Sequence, residues 1–251
     1  LEEAFATVRE ASKTYLDADY PAVCAAEYAK GKLECSIAFE RLRSEVVSGN
    51  LAPGERLHVE KLGHRYGIGL SPLREALSRL SETGLIVAEL QKGFKVAPMS
   101  IVEFRDVIDS RLVVEKEALL RSIRHGDVDW EARVVAAYHR LSRVHDQIDS
   151  GKLRVLADWT RLNREFHTSV ISACDSKWLL RFCIMLYDQT GRYQGRIRKT
   201  GSLPVDQSAR EHKSLLEAVL ARKGKLASTI LESHVRSAAE RVERGEPTLR
   251  G

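Results

Sequence analysis

From about residue 101 onward, apolar residues recur at mixed steps of three and four positions. Two such runs are Val102, Phe104, Val107, Ile108, Leu112, Val113 and Leu119, and Leu215, Leu216, Val219 and Leu220. Residues spaced in this way share one face of an α-helix, and the alternation typical of a strand does not occur in this region. The pattern therefore predicts a mainly α protein whose C-terminal part is entirely helical.

A domain boundary is predicted at Pro98, within the sequence KVAPMS. Proline ends the element before it, and a new helical pattern starts at Ser100. We therefore expect a first folded domain over residues 36–98 and a larger helical domain over residues 99–245. Residues 1–35 are interpreted as a loosely ordered N-terminal extension, although ATVREASKTYLDADY can also form a short amphipathic helix.

The first domain shows the pattern of short helices followed by a hairpin. Ala38, Leu42 and Val46 recur every four residues and predict a first helix. The sequence VEKLGHRY predicts a second helix that Gly67 ends. Farther along, the apolar runs LIVAEL and KVA surround the turn QKGF and predict a β-hairpin.

A third helix is predicted between the second helix and the hairpin. Ser71 is expected to cap its N-terminus, with Pro72 at the first helical position and Gly84 just beyond the end. The apolar face of this helix carries Leu73, Ala76, Leu77 and Leu80, and its polar face carries Arg74, Ser78 and Arg79.

The second and third helices together follow the helix-turn-helix plan, in which the later helix enters the major groove of DNA. Arg74 lies one turn into that helix, where its guanidinium can bond a guanine edge or a phosphate. Lys92 and Lys95 lie at the tip of the hairpin, which can contact the sugar-phosphate backbone as a wing. The alternative is a small helical domain on which Arg74 is merely solvated.

Composition agrees with a nucleic-acid partner without requiring one. The 40 lysines and arginines exceed the 35 acidic residues, and the formal net charge of +5 is spread along the chain. No run of about 18 uncharged apolar residues occurs, so no membrane span is predicted. The cysteines show no CxxC spacing and are interpreted as reduced thiols of a cytoplasmic protein. They are Cys24, Cys35, Cys174 and Cys183.

The stretch from LAPGERL to GFKVAPMS closely resembles the DNA-binding domain of the GntR family of regulators. It contains the family's PG-x-x-L turn, a recognition helix with the specific core PLREAL, an L-x-x-x-G-L helix end and a G-F-x-V wing. The resemblance implies a winged helix-turn-helix that binds double-stranded operator DNA. The expected DNA-binding residues are Arg56, Lys61, Leu70, Ser71, Arg74, Ser78, Arg79, Lys92, Gly93 and Lys95.

One position departs from the family pattern. Many members carry an Arg-Thr pair where this chain has Leu70 and Ser71. Ser71 can still donate to a phosphate, whereas Leu70 cannot read guanine and can instead contact a thymine methyl group. The operator sequence of other members is therefore not transferable to this chain.

Three histidines lie on helical patterns in the C-terminal region. His167 follows Asn163 by four residues, so the two share one helix face. His212 and His234 lie much farther along the chain, on helices that would have to converge with the first. From spacing alone, a histidine on a helix is more often a surface or core residue than a metal ligand.

The same region resembles the FCD subfamily of GntR regulators, named after the C-terminal domain of FadR, which is an antiparallel helical bundle. Its signature is D-x-x-F-H-x-x-[IVL], followed by E-H and a later H. The resemblance implies a divalent metal bound by Asn163, His167, His212 and His234, with Asn163 in the place of the usual aspartate. Because this set is rich in imidazole and has no carboxylate, Zn²⁺ or Ni²⁺ suits it better than Mg²⁺ or Ca²⁺.

An effector site is also expected in the helical domain. Arg111 matches an arginine that often faces the ligand in the subfamily, and it can clamp a carboxylate with two hydrogen bonds. The alternative is that Arg111 pairs with Glu115, one helical turn later. Arg192 and Arg196 are further candidates that can equally be solvated. A small organic acid is the expected effector.

The resulting hypothesis is a homodimeric transcription regulator, acting as a repressor, whose operator affinity changes when the effector binds. It is not expected to be an enzyme. A metal-dependent hydrolase is the alternative from another class, but no HExxH-type motif is present and Glu165 points away from His167 on a helix. A metal-free sensor, in which the histidines only line a pocket, is the third interpretation.

Overall fold

The computed structural model describes residues 22–148, 155–199 and 205–245. Contacts between residues divide the chain into two compact units. The first unit holds residues 22–46 and 50–98. The second unit holds residues 47–49 and the described residues from Met99 onward.

The first helix, α1, spans Ala22–Val47. It begins earlier than the sequence pattern indicated, so residues 22–35 of the expected extension are helical, while residues 1–21 lie outside the described residues. Cys35 is buried and lies one turn before the buried Ala38. The buried face of the helix therefore continues upstream of the segment in which the periodicity was recognised.

Two further helices complete the helix-turn-helix: α2 spans Val59–Tyr66 and α3 spans Leu70–Glu82. Gly67 ends α2 in the left-handed conformation, with φ of 64°, as predicted. The prediction of Ser71 as the cap of α3 is wrong, because the helix begins one residue earlier and the carbonyl of Gly69 accepts the first helical hydrogen bond at 3.2 Å. Pro72 still fits, since the amide groups of the first turn have no partner within a helix.

A small antiparallel sheet closes the first unit. Its strands are β1 (Arg56–Leu57), β2 (Ile86–Glu89) and β3 (Gly93–Val96), in the order β1-β3-β2. The pairing of β2 with β3 confirms the predicted hairpin, with Ile86 opposite Val96. Strand β1 was not predicted, because a strand of two residues is too short to show alternation.

Among its described residues, the second unit contains helices joined by short turns and no strand, which confirms the all-α prediction. Its helices are α4 (Ile101–His125), α5 (Val128–Ile148), α6 (Val155–Ile171), α7 (Lys177–Lys199), α8 (Val205–Leu220) and α9 (Gly224–Gly245). Helix α4 packs against α7 and α9, and α5 packs against α6 and α8. Phe104, Trp130, Phe166 and Tyr193 are fully buried between them. Among the described residues, no helix combines the length and hydropathy that a bilayer crossing requires.

The start of α4 is fixed by two side chains. The helical pattern was expected to start at Ser100, which is the N-cap of α4, and the Ser100 hydroxyl accepts a hydrogen bond from the amide of Glu103 at 3.1 Å. The hydroxyl of Tyr193 on α7 donates to the Glu103 carboxylate at 2.8 Å. These bonds tie the N-terminus of α4 to α7, one of the helices on which it packs.

Candidate functional site

Helix α3 presents a polar face to solvent and buries the opposite face. Leu73, Ala76, Leu77 and Leu80 are completely buried. Ser71, Arg74 and Ser78 are exposed, and Leu70 is 42% exposed. Among the described residues, Arg74 forms no hydrogen bond or ion pair. Its guanidinium therefore has the accessibility that a base or phosphate contact requires.

Arg79 is placed differently from the other polar residues of α3. Its guanidinium lies 5.0 Å from the ring centroid of Phe39 on α1, and its Nη1 lies 3.6 Å from the sulfur of Cys35. A guanidinium over an aromatic face is stabilised by the ring quadrupole. The side chain thus contacts α1, although Arg79 as a whole is exposed.

The hairpin carries both lysines expected of a wing, but only Lys92 lies at its tip, because Lys95 is paired within β3. Lys92 and Gly93 are exposed at its turn. Lys95 on β3 forms an ion pair with Glu89 on β2, and this hydrogen bond holds the pKa of the Glu89 carboxyl below its usual value. Arg56, which pairs with Lys95 across the sheet, is also exposed. Arg56 and Lys95 therefore lie on neighbouring strands of one small sheet, and the hairpin turn connects two of its strands. Lys61, from α2, is exposed as well.

Three histidines from three helices meet inside the helical unit. His167 on α6, His212 on α8 and His234 on α9 offer ring nitrogens that all lie within 4.8 Å of one another. The Nε2 atoms of His167 and His212 are 3.3 Å apart. All three residues are at most 8% exposed. Converging imidazole nitrogens at this separation suit a single borderline metal ion.

Asn163 lies one turn before His167 on α6 and is buried. Its Nδ2 donates a hydrogen bond to the hydroxyl of Tyr187 at 2.5 Å. Its Oδ1 has no hydrogen-bond partner among the described residues. A buried amide oxygen without a partner is costly, and coordination of a cation would remove that cost. Three imidazoles and one neutral oxygen donor therefore fit a divalent transition metal.

A buried ion pair adjoins His167. The Nε of Arg111 lies 2.5 Å from Oε2 of Glu115, and Oε1 of Glu115 lies 3.7 Å from Nδ1 of His167. Burial opposes ionisation of Glu115, but the interactions with Arg111 and His167 together outweigh it and lower the carboxyl pKa to about 2. Burial lowers the pKa of His167 to about 4, so this ring is neutral near pH 7. The structure thus realises the Arg111–Glu115 pairing that the sequence left open beside an effector role.

A second carboxylate adjoins His234. Oε2 of Glu211 lies 2.6 Å from Nδ1 of His234, and its Oε1 accepts a hydrogen bond from Gln207 at 2.9 Å. The sequence analysis did not single out Glu211, although it directly precedes His212. The signal that could have identified Glu211 was its position next to the candidate ligand His212, in the E-H pair of the signature.

The remaining candidates are distributed along α6 and α7. Arg192 is 2% exposed, and its Nη1 donates to Gln189 at 2.9 Å, so the solvated interpretation is wrong for this residue. Arg196 is half-buried. Glu165 forms an ion pair with Arg140 on α5, so its carboxylate is engaged away from the histidine rings.

Family models match both units of the chain. The model described as "Bacterial regulatory proteins, gntR family" matches residues 36–96. The model described as "FCD domain" matches residues 106–237, which include all three histidines.

Relatives are similar over most of their length. BphR of Paraburkholderia xenovorans strain LB400, an HTH-type transcriptional regulator, is 40% identical over 79% of this chain and 81% of its own. The HTH-type transcriptional repressor GlaR of Escherichia coli K12 is 34% identical over 77% of this chain and 89% of its own. The solved structure of E. coli McbR/YncC superposes with a TM-score of 0.74 at 16% identity, covering 84% of this chain and 97% of the other. This last likeness concerns the fold alone.

Proposed function

Because the chain belongs to the GntR family of bacterial regulatory proteins and carries an FCD domain, we propose that it is a repressor that responds to a divalent metal and a small carboxylate. GntR regulators bind operator DNA, and relatives such as GlaR are named repressors rather than enzymes. The observation that carries the proposal is the cluster of three buried imidazoles, which would form a ligand site inside a DNA-binding protein.

The proposed DNA interface combines α3 with the sheet. Arg74 is the proposed base-reading residue, with Ser71 on a phosphate and Leu70 against a thymine methyl group. Two chains of a homodimer would place two α3 helices on the half-sites of a near-palindromic operator. Arg79 stays a proposed DNA contact, held against α1 by Phe39 and Cys35. The proposed backbone-contacting residues are Arg56, Lys61, Ser78, Lys92, Gly93 and Lys95.

The proposed metal ligands are His167, His212 and His234, with the amide oxygen of Asn163 as a fourth donor. Zn²⁺ or Ni²⁺ fits this set better than Mg²⁺ or Ca²⁺, because imidazole is a softer ligand than carboxylate. A bound ion would supply a Lewis-acidic position for a carboxylate oxygen of the effector. Arg111 is already paired with Glu115, so its proposed contribution is to hold that buried carboxylate in place. Arg192 and Arg196 remain proposed effector contacts.

The proposal is tested by measuring metal content and DNA affinity on the same preparations. Duplexes are selected from a random pool with the purified protein, and their affinity is followed by fluorescence anisotropy. We expect a stoichiometric transition metal after dialysis without chelator. We also expect small carboxylates to change the duplex affinity by about 5–150-fold, the usual range of allosteric coupling.

The control is the double variant His167→Ala/His212→Ala. It should lose both the metal and the carboxylate response while still binding duplex DNA. Metal content below about a tenth of an equivalent in the wild type, or equal content in the double variant, contradicts the metal site. A wild type that retains no duplex at low salt contradicts the regulator function itself.

A further inference from the structure

We propose that Glu211 is a positioning residue, which accepts a hydrogen bond from Nδ1 of His234 and thereby makes Nε2 the metal-binding atom of that ring. The inference rests on the metal site proposed above. It adds Glu211, which is not itself a proposed ligand. It also specifies the tautomer in which Glu211 holds the ligand His234.

The hydrogen bond and the charge of Glu211 together indicate which nitrogen carries hydrogen. Oε2 of Glu211 and Nδ1 of His234 are 2.6 Å apart, a short hydrogen bond. An ionised carboxylate has no hydrogen to give, so the hydrogen of this bond resides on Nδ1. The remaining nitrogen, Nε2, is then the atom with a lone pair that can bind a metal.

The carboxylate is itself oriented. Its second oxygen accepts a hydrogen bond from Nε2 of Gln207, one turn earlier on α8. Both oxygens of Glu211 are thus engaged, and the side chain is only 19% exposed. A carboxylate held in this way restricts rotation of the histidine ring and raises the basicity of the opposite nitrogen.

Helix α8 therefore contributes in two ways. His212 supplies a ring nitrogen to the cluster, and the preceding residue, Glu211, bonds Nδ1 of a ring that comes from α9. Successive residues on a helix point in directions about 100° apart. One residue can consequently face the metal position while its neighbour supports the adjacent ligand from behind.

Charge gives a second reason for this role. Asn163 is neutral, whereas the resemblance expected a carboxylate at its position. The carboxylate of Glu115 is already offset by Arg111. Glu211 is therefore a negative charge near the cluster that can offset part of the charge of a bound dication, and its loss should weaken metal binding.

The first test measures Zn²⁺ affinity by competition with a chromophoric chelator. Glu211→Ala is expected to bind Zn²⁺ about 10–100-fold more weakly than the wild type, the usual effect of removing a residue that supports a ligand. Glu211→Gln retains an acceptor without charge and should fall between the two. The matched control is Glu217→Ala, an exposed position on the same helix, which should bind like the wild type.

The second test reads the ring state directly, so that a merely structural effect of the substitution is separated from a positioning effect. Long-range ¹H–¹⁵N NMR on histidine-labelled protein is recorded at pH 8, with Zn²⁺ and with chelator, and His234 is assigned from a His234→Asn variant. The wild type should show hydrogen on Nδ1 of His234 in both samples, and metal on Nε2 in the first. Chelated Glu211→Ala should lose this preference.

The outcomes separate the inference from the function on which it rests. Coordination through Nδ1, or wild-type Zn²⁺ affinity in a folded Glu211→Ala protein, overturns the inference and leaves the metal site standing. A wild type that binds no divalent metal overturns both.

Discussion

Arg111 and Glu115 form an ion pair one helical turn apart on α4, with side chains that are only 5% and 4% exposed. The guanidinium also lies 4.7 Å from the ring centroid of Tyr187. Glu115 in turn approaches His167, at 3.7 Å between Oε1 and Nδ1. Arg111, which was expected to face the effector, is thus buried in the bundle and is linked through Glu115 to the candidate metal ligand His167.

Replacing Arg111 by alanine should destabilise the helical unit by about 3–5 kcal/mol, because it leaves the buried Glu115 carboxylate without its partner. Urea unfolding followed by circular dichroism measures the change. The exposed pair Glu117–Arg121 on the same helix is the control, and Arg121→Ala should cost less than about 1 kcal/mol. A cost for Arg111→Ala as small as that of the control would show that the pair is not a structural element.

Arg74→Ala should weaken binding to a selected operator by about 1–3 kcal/mol, since it removes a side chain proposed to bond a base edge. The fold should survive, because Arg74 is exposed and bonds no described residue. Fluorescence anisotropy with specific and random duplexes gives the affinity and its specificity. Arg124→Ala removes one exposed positive charge from the helical unit and serves as the charge control. Equal losses in the two variants would indicate a nonspecific charge effect.

Asn163→Asp should strengthen binding of Mn²⁺ about tenfold or more, a gain of about 1.4 kcal/mol. The substitution adds a carboxylate oxygen, the ligand type that harder cations prefer. The hydroxyl of Tyr187, which now accepts from Asn163, can rotate to donate to the new carboxylate. Calorimetric titration of Mn²⁺ and Zn²⁺ into the chelator-treated protein gives both affinities. Unchanged Mn²⁺ affinity would show that residue 163 does not contact the ion.

Gly126→Ala should destabilise the helical unit by about 1–3 kcal/mol through overpacking. A Cβ at this position would lie 2.1 Å from Cε3 of Trp130 and 2.7 Å from the carbonyl oxygen of Ser122. Trp130 cannot move aside easily, because it is fully buried and its indole N–H donates to Ser169 at 2.9 Å. Thermal and urea unfolding measure the loss. Val128→Ala, at a side chain that is 77% exposed, should stay within about 0.5 kcal/mol of the wild type.

Helix ends and turns that are encoded by a few neighbouring residues were predictable from sequence. Gly67 ends α2, the helical pattern that starts at Ser100 becomes α4, and the expected hairpin forms. Its turn, residues 90–92, lies one position earlier than the predicted QKGF turn, since Gly93 and Phe94 belong to β3. The start of α3 was misplaced, because Ser71 and Pro72 resemble a cap and a first helical residue. The chain enters the helix at Leu70 instead. The N-cap predicted from residue preferences, Ser71, therefore lies two positions after the observed N-cap, Gly69.

The composition of the candidate metal site was also available from the sequence and its resemblance, but the arrangement was not. Spacing alone left His167, His212 and His234 as scattered positions on separate helices. Packing of α6, α8 and α9 places their nitrogens within 4.8 Å. The same packing puts Glu211 against His234, a contact between two helices that no local pattern encodes.

Helix periodicity, turn glycines and capping residues are properties of neighbouring positions, so the chain by itself determined the helix-turn-helix with its exposed arginine on α3, the hairpin and the helical character of the region after Pro98. Which partner each buried polar group finds depends on how helices distant in the chain pack. Only the tertiary structure therefore decided that the Arg111–Glu115 pair lies beside His167 and that three imidazoles share one interior position. Burial makes these choices consequential, because a charge or hydrogen-bonding group removed from water is stable only beside a partner.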